Sequence, residues 1–327
     1  MELAPANLNP FETNRLLQEL ATYYSGTKQW GADAARVREA STRLITGELT
    51  GTLWLKEPDS AAGVAVWDQV PKAGVRVWDL HLGTEDRRPE NFTQFLDELV
   101  ATSGDGEGLF AVTDTVAGVS REFTKMILEP QGFAHVARHL LVASTDGGAA
   151  VPVPRGRPLG VGVEQMEGLV ALYARAHADS PCRLFADVPL DVTESGRRLL
   201  ANLFLDLDGT GLGPKHLPWG CIGVEEGGTI LGAILATEDP ADPKGRACVR
   251  ELLVDPGAAA SRIDHYLLSA FLAAARGHGL REVAFESVVG EPLETSFESA
   301  GFRPATPAGE RKGFWVQEAK ARALGLR

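Results

Sequence analysis

Cysteine and long apolar runs are scarce in this sequence. Its 327 residues include three cysteines, Cys182, Cys221 and Cys248, and no two of them are closely spaced. This excludes a disulfide framework and a cysteine-rich zinc site. The longest apolar stretch, residues 267–275, is far too short to cross a bilayer. The N-terminus lacks the basic and apolar regions of a signal peptide. We therefore expect a cytoplasmic protein that has no membrane partner.

Positive charge is also scarce. The chain has 32 Lys and Arg against 44 Asp and Glu, which gives a formal net charge of -12. No basic run is longer than two residues, as at Arg87-Arg88 and Arg197-Arg198. Because nucleic acids are held mainly through their phosphates, this composition excludes them as partners. The negative charge weakly favours cationic over anionic substrates.

What the sequence does have is a segment that occurs twice. Residues 121–133 read REFTKMILEPQGF and residues 290–302 read GEPLETSFESAGF, each a helical stretch that ends in Gly-Phe before a final strand. Upstream, the strand-like residues 77–82 (VWDLHL) match residues 249–254 (VRELLV), 172 positions further on. Because both matches occur in the same order at similar spacing, the sequence predicts an internal duplication.

A Gly- and Pro-rich stretch, residues 144–162, separates the two copies. We expect an N-terminal domain over residues 1–146, a linker over 147–160 and a C-terminal domain over 161–327. In each half, hydrophobic periodicity predicts two helices, three strands, a helix, a strand, a helix and a last strand. This order predicts an α+β fold with a mixed sheet in each domain.

The bounds of the elements follow from the same patterns. Strands are predicted at residues 51–56, 63–68, 75–82, 108–113, 134–143, 161–165, 219–225, 229–237, 246–254, 282–287 and 313–318. Besides the two repeated endings, helices are predicted at residues 11–24, after Asp33, at 92–100, 168–178 and 194–207, and from Ile263 to Gly277 or Gly279.

The residues at two joints of this pattern resemble the GNAT superfamily of N-acetyltransferases, here as a tandem pair. In that family the fourth strand ends in Val-x-Pro before a loop that opens a helix, and Val254-Asp-Pro256 matches this strand end. A later signature closes on Glu-x-x-Gly-Phe, which Glu298 to Phe302 match. The resemblance implies an enzyme that transfers an acyl group from acetyl-CoA, or another acyl-CoA, to a small-molecule amine. It implies direct attack in a ternary complex and a monomer or homodimer.

The resemblance also implies where the acyl-CoA binds. A pyrophosphate binds well at a helix N-terminus, because free N–H groups and the helix dipole point toward it. The C-terminal domain is therefore expected to hold the cosubstrate through Leu253, Val254, Ala259, Ala260, Ser261, Arg262 and Ile263. The loop is degenerate in both halves. In the second half the departures from the family pattern are Ala259 for Arg or Gln, Arg262 and Asp264 for two glycines, Phe297 for a tyrosine and Gly290 for an asparagine.

The first half departs further. Its loop, residues 85–90, has no glycine but keeps Arg87 and Arg88, which we expect at the rim, and Leu128 stands in the tyrosine place. Catalysis is therefore expected in the second half. There Glu251, on the fourth strand, is the predicted base, and Glu286, on the next strand, is a second candidate. The alternative for Glu251 is an exposed carboxylate paired with Arg250 or Lys244.

Two other functions stay open at this stage. The lost glycines, Asp264 and Phe297 also suit a catalytically inactive binding or scaffold protein. Residues 204–210 (FLDLDGT) resemble a Mg²⁺-dependent phosphatase motif, in which Asp206 would be the nucleophile and Asp208 the general acid and base. That motif must end a buried strand, whereas the apolar residues here have helical spacing. His135 and His139 have the spacing of metal ligands but no evident third ligand, so no metal is expected.

Overall fold

The computed structural model describes residues 2–6, 10–26, 44, 49–57, 60–86, 88–103, 106–113, 116–117, 121–147, 151–178, 180, 191–205, 215–239, 242, 244–289, 293–305, 312–324 and 326. The helices among them are α1 (Pro10–Gly26), α2 (Pro89–Thr102), α3 (Arg121–Leu128), α4 (Met166–Ala176), α5 (Val192–Leu205), α6 (Ile263–Gly277), α7 (Glu294–Ser299) and α8 (Glu318–Ala323). None of these described helices is both long and apolar enough to span a membrane.

The same residues contain strands β1 (Glu2–Pro5), β2 (Thr50–Glu57), β3 (Ser60–Val70), β4 (Gly74–Leu82), β5 (Leu109–Thr113), β6 (Val116–Ala117), β7 (Phe133–Ser144), β8 (Arg157–Gly160), β9 (Ile222–Glu226), β10 (Thr229–Glu238), β11 (Arg246–Val254), β12 (Glu282–Val288), β13 (Arg303–Pro304) and β14 (Lys312–Gln317). Most predicted elements are confirmed to within a few residues. The strand predicted at residues 161–165 is wrong, because β8 ends at Gly160 and Val163–Gln165 form a 3₁₀ turn. The helix expected after Asp33 lies outside the described residues.

These elements form two compact units that do not follow the predicted domain bounds. The first unit is Met1–Ala137 with Lys312–Leu324, and the second is Arg138–Arg311 with Gly325–Arg327. The expected bounds of 1–146 and 161–327 differ from this division at the last strand of each half. Residues 138–144 of β7 belong to the second unit, and β14 belongs to the first. Periodicity indicates that a segment forms a strand, but not which other strand it pairs with. The sequence therefore could not show that β14 and residues 138–144 belong to the unit of the other half.

In the first unit the strands lie in the order β1-β2-β3-β4-β5-β14. The β4–β5 pair is parallel, whereas the β5–β14 pair is antiparallel. Helix α2 buries the apolar stripe that the sequence predicts, and the ring of Phe95 stacks on Trp54 with centroids 5.3 Å apart. The core of this unit also includes Leu128 and Trp315.

In the second unit the order is β8-β9-β10-β11-β12, followed by residues 138–144 of β7 and then β13. Two cores lie on opposite faces of this sheet. On one face Val249 and Leu252 share a core with Leu267 and Phe271 of α6. On the other face Leu253 shares a core with residues of α4 and with Leu200 of α5. We call these the α6 face and the α4 face.

The same irregularity occurs in one strand of each unit. In β4, Asp79 and Val77 lie opposite consecutive residues of β3, so Trp78 is an extra, bulged residue. In β11, Glu251 and Val249 lie opposite consecutive residues of β10, so Arg250 is bulged in the same way. The two bulges are 172 positions apart, which is the spacing between residues 77–82 and 249–254. The two matching sequence segments therefore each contain a bulge at the same position.

Candidate active site in the second unit

The central strands of the second unit separate halfway along their length. Strand β11 pairs in parallel with β12 from Arg246↔Glu282 to Val249↔Phe285. Beyond that point no strand among the described residues lies between Arg250–Val254 and Glu286–Val288. We call this gap the β11–β12 opening. Because one edge of β11 is unpaired there, its main-chain groups are available to a ligand that lies along the strand.

The bulge at Arg250 determines which way the next side chain points. Side chains alternate along a strand, so residue 251 would normally share the α6 face with Val249. The extra residue reverses this alternation. Leu252 then lies on the α6 face and Leu253 on the α4 face. Glu251 shares the α4 face with Leu253, as its spacing predicts.

Glu251 meets a histidine on that face. Nε2 of His177 lies 3.2 Å from Oε2 of Glu251, and the side chains are only 10% and 19% exposed, respectively. Among the contacts of the described residues, none joins Glu251 to Arg250 or Lys244. His177 follows the last residue of α4, and its ring lies 4.5 Å from that of Tyr173. Sequence reasoning missed His177, because a lone histidine at the end of a helix carries no pattern.

An ion pair fixes α4 beside the opening. Nε of Arg175 lies 2.7 Å from Oδ2 of Asp255, and its Nη2 donates to the carbonyl of Ile230 at 3.3 Å. Oδ1 of Asp255 in turn accepts from the N–H of Gly257 at 2.8 Å. One carboxylate therefore joins the end of α4 to the turn that follows β11.

Glu286 lies in a different environment. By alternation with Phe285, which packs on the α6 face, it also points to the α4 face. Its side chain is 42% exposed, and its Oε2 accepts from Nη1 of Arg138 on β7 at 2.9 Å. Among the contacts of the described residues, none joins Glu286 to Glu251.

The turn after β11 leads into a long helix. Pro256–Ser261 form a 3₁₀ turn in which Ala259 and Ala260 are exposed, and α6 begins at Ile263. Arg262, also exposed, joins them in the left-handed conformation, with φ 57° and ψ 33°. This conformation favours glycine, the residue that the family pattern has at this position.

The predicted binding residues thus lie together around the opening and its turn. Leu253 and Ile263 are fully buried and Val254 nearly so, which leaves mainly their main-chain atoms to contact a ligand. Oγ of Ser261 donates to the carbonyl of Ala258 at 2.5 Å. Arg262 is the one predicted binding residue with a charged side chain.

Two departures from the family pattern have internal roles. Asp264, in the first turn of α6, is buried and accepts a hydrogen bond from Ser296 of α7. Its carboxylate therefore points toward α7 and into the protein. Phe297 is also fully buried, stacked on Phe285 at 4.1 Å and edge-on to Phe302 at 5.0 Å. It is a core residue with no proton to donate.

The described cysteines are poor nucleophiles. Burial raises the pKa of Cys248, on β11, to about 12, and the charge of Asp239 adds to the effect. Burial also raises the pKa of Cys221. Because the thiolate is the reactive form, neither side chain suits an acyl-cysteine route at neutral pH. Cys182 lies outside the described residues.

The first unit has the same bulge but not the same opening. Parallel pairing of β4 with β5 ends at Val77↔Val112, and β6 then pairs with the remainder of β4 through Leu80↔Val116 and His81↔Ala117. A short segment of the chain therefore covers the edge that is unpaired in β11. Strand β6 has only two residues, which are too few to show an alternating pattern, so the sequence did not predict it. Arg87 lies outside the described residues, and Arg88 is an exposed residue just before α2.

Among the residues that the structure describes, the remaining motifs form no second site. Asp206 and Asp208 lie outside the described residues, but the residues just before them belong to α5, which ends at Leu205. The buried strand that the phosphatase motif requires is therefore a helix. Nε2 of His139 is buried beside Oε1 of Glu294 at 2.9 Å. The part of the chain that the structure describes has no group of side chains suited to holding a metal ion.

No protein-family model and no curated protein matches this sequence. Solved structures, by contrast, are similar to it in fold. A GNAT-family acetyltransferase from Colwellia psychrerythraea has a TM-score of 0.56 at 13% identity, over 97% of this chain and 99% of that one. A tandem GNAT protein from the clavulanic acid biosynthesis pathway gives 0.55 at 15% identity, over 96% and 97%. A GCN5-related N-acetyltransferase from Sphaerobacter thermophilus gives 0.51 at 15% identity, over 81% and 79%.

Proposed function

We infer that the second unit is an N-acyltransferase that uses acetyl-CoA or another acyl-CoA, and the similarity in fold to solved GNAT structures supports this. The observation that carries this inference is the β11–β12 opening, where an unpaired strand edge leads directly into an exposed turn and the start of α6. Function is argued from these residues, because the same fold can serve many functions.

The residues at the opening fit an extended cosubstrate. The main chain of Arg250–Val254 can bond the amides of a pantetheine arm, as a strand edge bonds a peptide. Arg262 is exposed beside the N-terminus of α6, where both its charge and the helix dipole favour a pyrophosphate. Asp264 is the one acidic residue in that first turn, and its carboxylate accepts a hydrogen bond from Ser296.

Glu251 is suited to take the proton of the acceptor amine. Its carboxylate borders the opening on the α4 face, and its Oε2 is held by His177. The cosubstrate supplies an acyl carbon activated as a thioester. A protonated amine gives one proton to Glu251 and attacks that carbon as the neutral amine. As the carbon–sulfur bond breaks, the nitrogen loses a second proton, which compensates the departing thiolate. With Phe297 in the tyrosine place, that proton passes through solvent. A thiol pKa of about 8.5 makes a thiolate a tolerable leaving group.

A small-molecule amine is the acceptor that we propose. Glu251 and Glu286 both point to the α4 face, and the chain is acidic overall, so a cationic amine is attracted to this side. A catalytically inactive scaffold is the second candidate, and the burial of Phe297 in the core favours it. Acetylated product in a screen of amines would exclude the scaffold.

The proposal predicts one acyl-CoA per chain. In the first unit β6 covers the strand edge that the cosubstrate would need, so only the second unit binds. Calorimetric titration of the full chain with acetyl-CoA is expected to give saturable binding with a stoichiometry near one. Two sites would show that β6 does not close the first unit. If millimolar acetyl-CoA gives no binding heat, the acyltransferase proposal is wrong and the catalytically inactive scaffold is the better candidate.

Replacing Arg262 with glycine should separate its conformational role from its charge. The left-handed conformation costs a non-glycine residue roughly 1–2 kcal/mol, and the freer unfolded chain of a glycine variant offsets about 0.4–1 of this. Arg262→Gly is therefore expected to raise the free energy of unfolding by up to about 1.6 kcal/mol. The loss of a charged contact to phosphate should weaken acetyl-CoA binding about tenfold.

Urea unfolding and calorimetry measure these two effects separately. The control is Arg262→Lys, which keeps the charge in the same backbone conformation and should retain most of the affinity. Unchanged acetyl-CoA affinity in Arg262→Gly would contradict the phosphate role.

A further inference from the structure

His177 lies where it can control Glu251. The bulge at Arg250 turns Glu251 onto the α4 face, and there Oε2 of Glu251 lies 3.2 Å from Nε2 of His177. An ionised carboxylate can only accept a hydrogen bond, so Nε2 carries the proton in this pair. Both side chains are largely buried, so water competes weakly for the bond.

The position of the imidazole is itself fixed. The N–H of His177 donates to the carbonyl of Tyr173 at 2.9 Å, which keeps the residue on the end of α4. Arg175, two residues earlier, holds that helix to Asp255 at the end of β11. The end of α4 and the end of β11 are therefore joined at two points, Arg175 to Asp255 and His177 to Glu251.

We propose that His177 is a positioning residue for the acyl transfer, holding the Glu251 carboxylate in the orientation in which it receives the proton of the amine. This rests on the proposed function of the second unit. Oε2 is engaged by the imidazole, which leaves Oε1 as the atom that takes the proton. A carboxylate that rotates freely at the edge of the opening would present that oxygen only part of the time. Misplacing a catalytic group by about 1 Å can cost roughly a hundredfold in rate.

The test is a set of variants of the full chain, assayed for acetyl-CoA binding by calorimetry and for turnover with an amine that the wild type acetylates. His177→Ala is expected to lower kcat by tenfold to a hundredfold and to leave acetyl-CoA affinity within about threefold. His177→Gln keeps an N–H donor at a similar distance and should recover most of the loss. A merely structural histidine would not be rescued in this way.

A double-mutant cycle with Glu251→Gln gives the decisive readout. If His177 acts through Glu251, His177→Ala should cost little further turnover once the carboxylate is gone. The matched control is His81→Gln in the first unit, where Nε2 of a fully buried histidine lies 3.1 Å from Oε2 of Glu19. We expect it to change stability but not the turnover of folded protein.

The outcomes separate this proposal from the function on which it rests. A wild type that binds no acetyl-CoA, or acetylates no amine, overturns the proposed function and the positioning role with it. A wild type that acetylates, together with a His177→Ala variant of equal kcat, overturns the positioning role alone. Additive losses in the cycle would also overturn it, because they would mean that His177 acts independently of Glu251.

Discussion

Glu251→Gln should lower kcat by about two to four orders of magnitude, which is the contribution usual for a general base. The amide has nearly the shape of the carboxylate and can still contact His177, but it cannot accept a proton. The KM for acetyl-CoA should change little, because the cosubstrate is proposed to contact the main chain of β11. Steady-state kinetics with saturating acetyl-CoA and a reactive amine measures the effect.

The comparison variants locate the base. Glu226→Gln makes the same change in an exposed side chain bonded to Arg155, and it should not alter turnover. Glu286→Gln removes the second sequence-predicted candidate. If Glu286→Gln loses turnover and Glu251→Gln does not, the proton passes to the other strand and the assignment of Glu251 is wrong.

The second large effect is expected from cutting the chain between its sequence halves. A fragment of residues 147–327 keeps β8 but lacks residues 138–144, which form seven residue pairs with β12 and bring Leu141 and Ala143 into the core of the second unit. At roughly 1 kcal/mol per hydrogen bond, the missing strand removes about 7 kcal/mol. Total stabilities are about 5–15 kcal/mol. We therefore expect this fragment not to fold cooperatively, as measured by circular dichroism during urea unfolding.

A fragment of residues 138–327 is the matched control, because it restores the strand next to β12. Its unfolding should be cooperative even though its β14 then lacks the unit to which it belongs. Equal stability of the two fragments would show that residues 138–144 contribute little to the second unit.

Local patterns in the sequence carried much of the fold. The predicted bounds of β11, residues 246–254, match the structure, and α2 buries the predicted face with Phe92, Phe95 and Leu99. Alternation and helical periodicity depend on neighbouring residues, so they can be read from one chain. The exchange of β14 and of residues 138–144 depends on pairing between distant segments, which leaves no local pattern.

For the candidate site, too, local patterns predicted one part, and contacts between distant residues determined the rest. The sequence placed Glu251 on the strand and predicted that it shares a face with Leu253, but it offered only Arg250 or Lys244 as partners, in the alternative interpretation, and did not point to His177. His177 is 74 positions away from Glu251, and a three-dimensional contact was needed to find it. The bulge at Arg250 was also invisible, although it determines the face to which Glu251 points. The sequence thus located the strand of the site, and tertiary packing determined its chemistry.

The exchanged strand β14 affects the order in which the protein can form during synthesis. In the first unit, Thr113 of β5 pairs with Phe314 of β14, about 200 residues later. The ribosome must therefore complete nearly the whole chain before the first unit receives its last strand. Until then β5 has an uncovered edge, and such edges promote aggregation of nascent chains. The first unit, although its synthesis begins first, is expected to receive its last strand only after all the strands of the second unit have been made.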